Sequence, residues 1–516
     1  MKRLIAPALA ALLILTSCGK APEPSESPTP TVAATATVPT PVPTPTHGGE
    51  ITLSMRVPQT LNPLNNEDAT VDNILKLIFE PLAILDHTMK PVANPALLSG
   101  MEMAADGTSV LLTIKPGAVW SDGTRVKPSD ITFSVDALRN APEGAIYKAS
   151  VANITSVEAI GDNAARLQFA QPYGAMMYML MFPIIPAHHD PAANAFAPVG
   201  NGPYAVDAYV AAEGLSLKAS ENAIGGRPYI NSIYVRITPD RESDINAFDQ
   251  NITQAVAAGI ADWTRYKGSQ SARASEYVTT YFEFVGFNFD KPLMQNIQVR
   301  RLTESIVTNE ELLSSLYLDN ALRARTPISP ASWLYDENTP GGALDEAAAK
   351  TALAGQSISI LANEENIERV RIAERLAEAL TNAGAIATPV ILPFDEFSTH
   401  LAAGHFDMCI AGYNMALAPD LSFMFHSQNT GTTNVLRYQS DTMDTLLAGA
   451  FNAIGDANLR GAMSSLQKHI AMELPCVGLV FRKSAVVTSN EIFAEPTPVV
   501  NHVFAGIQSW FVPNAE

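Results

Sequence analysis

Residues 404–427 read GHFDMCIAGYNMALAPDLSFMFHS. The segment starts polar and passes through an apolar block, Met408, Cys409, Ile410 and Ala411, before opening into Gly412, Tyr413, Asn414, Met415 and Ala416. An apolar block of this length behind a short helical pattern reads as a buried strand. The residues beyond the block are small, aromatic and amide-bearing, which suits a strand end emerging into a cleft between domains. The stretch is therefore read as one wall of a ligand pocket. The plainer alternative is a core strand followed by an ordinary loop.

Upstream of it, Ser357 to Leu361 is strand-like, Asn363 can cap a helix over residues 367–382, Gly384 ends that helix, and residues 386–392 form the next strand. Asp395 starts a short helix that leads back to residue 404. A strand–helix–strand unit of this kind implies a parallel sheet. Residues 281–289, YFEFVGFNF, form an aromatic-rich strand, and residues 474–487 supply an apolar return strand. Helical character dominates from Val299 onward. The earlier half is β-rich: an alternating strand at residues 51–55, then a helical pattern at 73–85 that Pro81 ends. Asp106-Gly107 and Asp122-Gly123 are turns on either side of a strand at 109–115. Pro128 opens a helix with the stripe Ile131, Val135, Leu138. Two strand patterns flank the turn Gly225-Gly226-Arg227-Pro228.

A chain of 516 residues is too long for one hydrophobic core and is expected to divide. Its formal charge of -19 argues against nucleic acid and against adsorption through a basic patch, both of which need clustered cations. The three cysteines, Cys18, Cys409 and Cys476, form no C-x-x-C and no zinc-type spacing, so no metal or other cofactor is expected. Cys409 and Cys476 sit in apolar runs, and sequence leaves open whether they pair.

Lys2 and Arg3 precede an apolar run to Leu15, followed by Thr16, Ser17 and Cys18. A basic start, a short apolar core and a small-residue cleavage site make a secretory signal, too short to span a bilayer, which takes roughly 20 apolar residues. The Leu-Thr-Ser-Cys ending resembles a bacterial lipobox, which implies lipidation of Cys18 and extracytoplasmic anchoring to the bacterial cell membrane, at the outer face of the plasma membrane or in the periplasm. Residues 20–46, rich in Pro, Thr, Ala and Ser, cannot bury a core and read as an extended tether. At ~3.1 Å per residue it would reach on the order of 80 Å.

Several motifs in sequence order resemble the family-5 extracellular solute-binding proteins, the oligopeptide- and dipeptide-binding lipoproteins of ABC importers. They are Gly49-Glu50, Leu61-Asn62-Pro63, Ile78-Phe79-Glu80-Pro81-Leu82, Trp120-Ser121-Asp122-Gly123 and Pro186-Ala187-His188. Gly202-Pro203-Tyr204, Gly225 to Tyr229, Phe287-Asn288 and Val299-Arg300 continue the series. The resemblance runs from about Gly48 to the C-terminus. It implies an α/β, two-lobed, periplasmic-binding-protein-like (type II) fold with an extra β-rich subdomain in the first lobe. The expected division is a signal at 1–17 and a lipidated tether at 18–47. Residues 48–64, 198–284 and 483–516 would form the first-lobe core, 65–197 the extra subdomain and 285–482 the second lobe.

No G-x-S-x-G, S-x-x-K, H-E-x-x-H or phosphate-cradling loop occurs, so an enzyme is not expected. His188-His189-Asp190 is read as a turn rather than a metal site, and Trp333 and Trp510 as core or pocket lining. In peptide-binding relatives the strand resembling residues 412–420 carries an aromatic residue and, three residues later, an aspartate that pairs with the peptide ammonium. Here Tyr413 holds the aromatic place and Ala416 the acidic one. A buried ammonium without a carboxylate costs several kcal/mol, so a zwitterionic dipeptide is disfavoured. The expected pocket comprises Tyr413, Asn414, Met415 and Ala416, with Asn288 and the turn Thr60-Leu61-Asn62 opposite. The resemblance implies a monomer that traps a peptide or other small solute between hinged lobes and delivers it to a membrane permease. Rival readings are a sensory or adhesive lipoprotein using the same fold, and a secreted hydrolase.

Overall fold

Two long strands organise the molecule. In the computed structural model, which describes residues 43–493 and 496–513, Ala272–Phe287 (the first crossing strand) pairs antiparallel with Cys476–Ser489 (the second). Their register runs from Ala272↔Ser489 to Val278↔Lys483 and then slips, so that Phe282 faces Phe481. Residues 279–281 therefore stand opposite Arg482 alone, a bulge that bends the ribbon. Thr279 Oγ1 donates to the Arg482 carbonyl across it at 2.8 Å. The signal, Cys18 and most of the tether lie outside the described residues. Among the described residues no helix is long and apolar enough to cross a membrane.

On one side of the bulge the first crossing strand also pairs with Met408–Asn414, which runs parallel to Ser357–Asn363, itself parallel to Ile386–Leu392. This is the expected parallel unit, and its helix Ile367–Asn382 has the bounds read from the sequence. The helix cap differs. Asn366, not Asn363, accepts from the Arg369 backbone N–H, because Asn363 is still in the strand and its Oδ1 accepts from Arg369 Nη1 instead. Both faces of the inner strands Ser357–Asn363 and Met408–Asn414 are largely covered, which is why they read as apolar runs. Cys409 and Ala411 face one core with Phe282 and Phe284, while Met408 and Ile410 face the other with Val285 and Phe287, as the alternation of a strand demands. Arg369 also reaches the first crossing strand: its Nε donates to Glu283 Oε2 at 2.8 Å and its Nη2 to Tyr281 Oη at 3.0 Å.

Cys409 and Cys476 pair with Gly286 from opposite sides. Two strand spacings, roughly 10 Å, separate their backbones, beyond disulfide reach, and both thiols are free and buried. Burial pushes the Cys409 thiol up to about 12. Gly286 has no room for a side chain: an added Cβ would lie 2.5 Å from Leu436 Cδ2 and 2.8 Å from Cys409 Sγ.

On the other side of the bulge, Ala255–Ala258 joins the second crossing strand. A separate sheet pairs Gly48–Met55 parallel to Ile230–Ile237, followed by Gly214–Ala219 and Tyr204–Val210, three strands from residue 202 on where the pattern predicts two. A four-stranded antiparallel sheet within residues 98–169 carries the helix Pro128–Arg139, whose Ile131, Val135 and Leu138 are buried as expected. One apolar core runs through all of this, from Ile51 and Leu53 through Val110 and Leu167 to Phe504 and Trp510. The helical pattern expected at 73–85 is displaced: the helix is Ala69–Leu75, capped by Asp68, and Ala83–Leu85 is a strand. The Asp68 carboxylate accepts from the Thr70 and Val71 N–H groups and so fixes the earlier start.

Candidate functional site

Within the bulge, the Thr280 carbonyl accepts from the Met415 N–H at 2.9 Å, and Thr280 Oγ1 donates to Asn414 Oδ1. The strand Met408–Asn414 ends there, and residues 415–421 run along the seam between the two lobes. Met415 and Ala416 line a cavity of about 40 Å³ with Thr280, Ile328, Ser329 and Phe481. Met89 and Tyr178 close it from the first lobe. Ala418 is inserted among Leu85, Ala175 and Tyr178, an apolar seal across the seam.

Farther along the seam the lobes are tied by specific contacts. The Gly174 N–H donates to the Phe451 carbonyl at 2.7 Å, at the C-terminus of the helix Asp441–Phe451. Tyr173 stacks on Phe451 with centroids 4.5 Å apart. No side chain fits at Gly174, because an added Cβ would lie 2.5 Å from the Ala453 carbonyl oxygen. Trp333 Nε1 donates to Tyr178 Oη at 2.9 Å, Tyr178 Oη donates to the Met89 carbonyl at 3.1 Å, and the Trp333 N–H donates to the Thr88 carbonyl at 2.8 Å. Lys90 pairs with Asp456 and lies 5.0 Å from the centre of the Trp333 ring. Burial pushes the Tyr178 hydroxyl up to about 12, so it stays a neutral donor at physiological pH. Between these ties lies a void of about 430 Å³ bounded by Met101, Met103, Met177 and Tyr173 on one lobe and by Trp333 and Leu459 on the other. The thioethers and aromatic rings give it an adaptable wall, to which Lys90 and Asp456 add charge.

The expected site residues are thus dispersed. Met415 and Ala416 reach the seam, and Asn414 lies beside it. Tyr413 instead packs inside the second lobe, stacked on Phe284 at 5.5 Å and edge-on to Phe423 at 5.4 Å. Burial raises its hydroxyl pKa well above the ordinary value. Asn288 is buried at the far end of the first crossing strand, donating to the Gly404 and Phe406 carbonyls. Eight residues from Thr280 along a strand is roughly 26 Å, so Asn288 cannot share that cavity. Thr60, Leu61 and Asn62 form a tight turn within the first lobe: Asn62 N–H bonds Thr60 Oγ1, Leu64 N–H bonds Asn62 Oδ1, and Leu61 N–H bonds the Ala195 carbonyl. The first-lobe wall of the seam comes from residues 85–93, 101–103 and 173–178 instead. Asp420 is past the strand end and accepts from the Ser422 N–H. His188 is held by Asp122 at 2.7 Å and by Thr124 at 3.2 Å, beside the Trp120–Gly123 turn. Of the two tryptophans, Trp510 is core and Trp333 lines the seam.

Two lobes that share a bent pair of strands and close on one another along a seam define the two-lobed binding-protein architecture. The chain belongs to the bacterial extracellular solute-binding proteins of family 5: the model described as "Bacterial extracellular solute-binding proteins, family 5 Middle" matches residues 93–434. A putative ABC transporter peptide-binding protein of Brucella ovis is 26% identical over 302 residues, covering 55% of this chain and 57% of the relative. The match thus spans little more than half the length of that relative. Oligopeptide-binding protein AppA of Bacillus subtilis is 22% identical over 449 residues, covering 78% of this chain and 80% of AppA. Among solved structures, HbpA2 of Haemophilus parasuis superposes with a TM-score of 0.77 at 17% identity, over 90% of this chain and 100% of that one. The ABC transporter substrate-binding protein CtaP of Listeria monocytogenes does so at 0.76 and 17% identity, over 91% and 100%. The fold expectation is met.

Proposed function

We propose that this chain is the extracytoplasmic, lipid-tethered receptor of an ABC importer, which captures a peptide or other small solute along the seam and hands it to a permease without chemically altering it. The observation that carries this is the hinge: the bulge at residues 279–281 adjoins Met415 and Ala416, so bending there opens or closes the seam. Relatives named as peptide-binding proteins support the substrate class, and the leader ending in Cys18 supports the anchor. Ala416 presents no carboxylate to an ammonium, although Asp420 lines the same cavity, and the larger void beside Trp333 combines thioethers and rings with the Lys90–Asp456 pair. The guest is accordingly a molecule that pairs an apolar or planar body with polar groups.

Native mass spectrometry of purified protein, paired with small-angle scattering, tests this. A co-purified solute whose removal expands the molecule is expected; a radius of gyration indifferent to every candidate solute would overturn the receptor reading. Ala416→Asp is expected to tighten binding of short peptides about tenfold or more, read by calorimetry. Cys18→Ser is expected to move the protein from the membrane to the soluble fraction.

A further inference from the structure

A second cavity, of about 290 Å³, lies wholly within the first lobe. Its wall is mostly apolar, built by Phe79, Pro81, Ile84, Leu85, Met181 and Val499, and residues 497–505 close it. Leu85 and Met181 also belong to the seal around Ala418, so this cavity and the seam stand back to back across one layer of side chains.

Its polar groups form a small, incompletely satisfied set. Glu80 Oε2 accepts from Asn94 Nδ2 at 2.7 Å. Asn501 Oδ1 and His502 Nδ1 are shielded from water and unpartnered. Lys76, at one end, is already neutralised by Asp72, which also accepts from Tyr147 Oη at 2.9 Å. Burial raises the Glu80 carboxyl above its ordinary range and lowers His502, to about 3, with Lys76 adding to the second effect. Near neutral pH His502 is therefore an uncharged imidazole. Of the charged or titratable groups that line it, Lys76 is paired with Asp72, His87 is exposed, and burial favours the neutral form of Glu80.

We propose that this first-lobe cavity is a binding site, separate from the seam, for a neutral ring-sized molecule with an apolar body and one N–H or O–H group that Glu80 or His502 engages. Its volume exceeds the ~150 Å³ of an engineered apolar cavity that takes up benzene, so a fused bicycle fits. The site does not depend on the seam reading, since its walls come from one lobe.

Indole serves as the probe. Titration of the full chain, followed by NMR of the His502 ring protons, is expected to give saturable shifts. Ala505→Leu, which fills the cavity, is expected to weaken indole about tenfold or more, while Trp333→Ala in the seam leaves it within about twofold. Glu80→Gln, which keeps size and hydrogen bonding, guards against loss of fold: it should retain binding. Absence of saturable shifts would overturn the site. So would loss of indole binding in Trp333→Ala with retention in Ala505→Leu, which would assign the probe to the seam.

Discussion

Gly286, in a strand, and Gly174, in a turn, are crowded alike and differ in what crowds them. Neither has room for a methyl group. Gly286 is pressed by Leu436 and Cys409 inside the sheet of the second lobe; Gly174 is pressed by the Ala453 carbonyl across the seam between lobes. Within a lobe, a misfit can be relieved only by distorting a close-packed interior. Across the seam it can be relieved by moving one lobe relative to the other. Equal crowding is thus expected to act on stability in one place and on the open–closed equilibrium in the other.

The largest effect is expected where the interior is driest. Arg369→Met takes from Glu283, 1% exposed, its closest cation and leaves only Arg482 Nη1, 3.9 Å away; it should cost about 3 kcal/mol, measured by urea unfolding. A loss below about 1 kcal/mol would mean that water reaches the pair and that the second lobe is no more rigid than the seam. Gly286→Ala should cost about 1–3 kcal/mol, with the scattering profile unchanged.

The first lobe contains an interior of another kind, holed rather than packed, and acid reports on it. His502 has a folded pKa near 3 against an ordinary 6.5, so the unfolded chain binds more protons between those values. Its contribution to stability is complete above pH 6.5 and is lost as pH falls toward 3, with a slope of at most about 1.4 kcal/mol per pH unit. Glu80, raised above 4.5, opposes this by lowering stability as pH rises past that value. In His502→Gln the slope between pH 5 and 6.5 should flatten; an unchanged slope would mean the ring is solvated. The smallest change in stability is expected for Gly174→Ala, within about 0.5 kcal/mol, yet its scattering should shift toward an expanded form and its affinity for any co-purified solute should fall. Should Gly174→Ala instead destabilise as much as Gly286→Ala, the seam is part of a fixed core and the two glycines are equivalent.

The second lobe is the more legible half. Its helix from Ile367 to Asn382 and the strand after it carry their own signals in periodicity, cap and stop, and each is local in sequence. The first lobe is less so: the cap at Asp68 is masked because the apolar pattern beyond Asn73 runs on through a turn into a strand. The seam is almost illegible. Thr88, Gly174, Trp333 and Phe451 come from four distant segments with no shared period, and only tertiary folding brings them together. Tyr413 misleads for a related reason. Its place in the strand is plain from the pattern, but which way an aromatic ring points at a strand end depends on neighbours such as Phe284 and Phe423 that no local pattern reveals.

The first-lobe core contains both Ile51 and Trp510, whereas the second lobe is drawn mainly from one uninterrupted span. During export the chain emerges from its N-terminus, so the earlier-arriving lobe cannot finish its interior until the last segment has crossed, by which time the later-arriving one can already have matured. Contacts so far apart in sequence are slow to form. Truncation by even the final dozen residues should therefore leave a molecule whose front half never sets, vulnerable to extracytoplasmic proteases although its middle is sound.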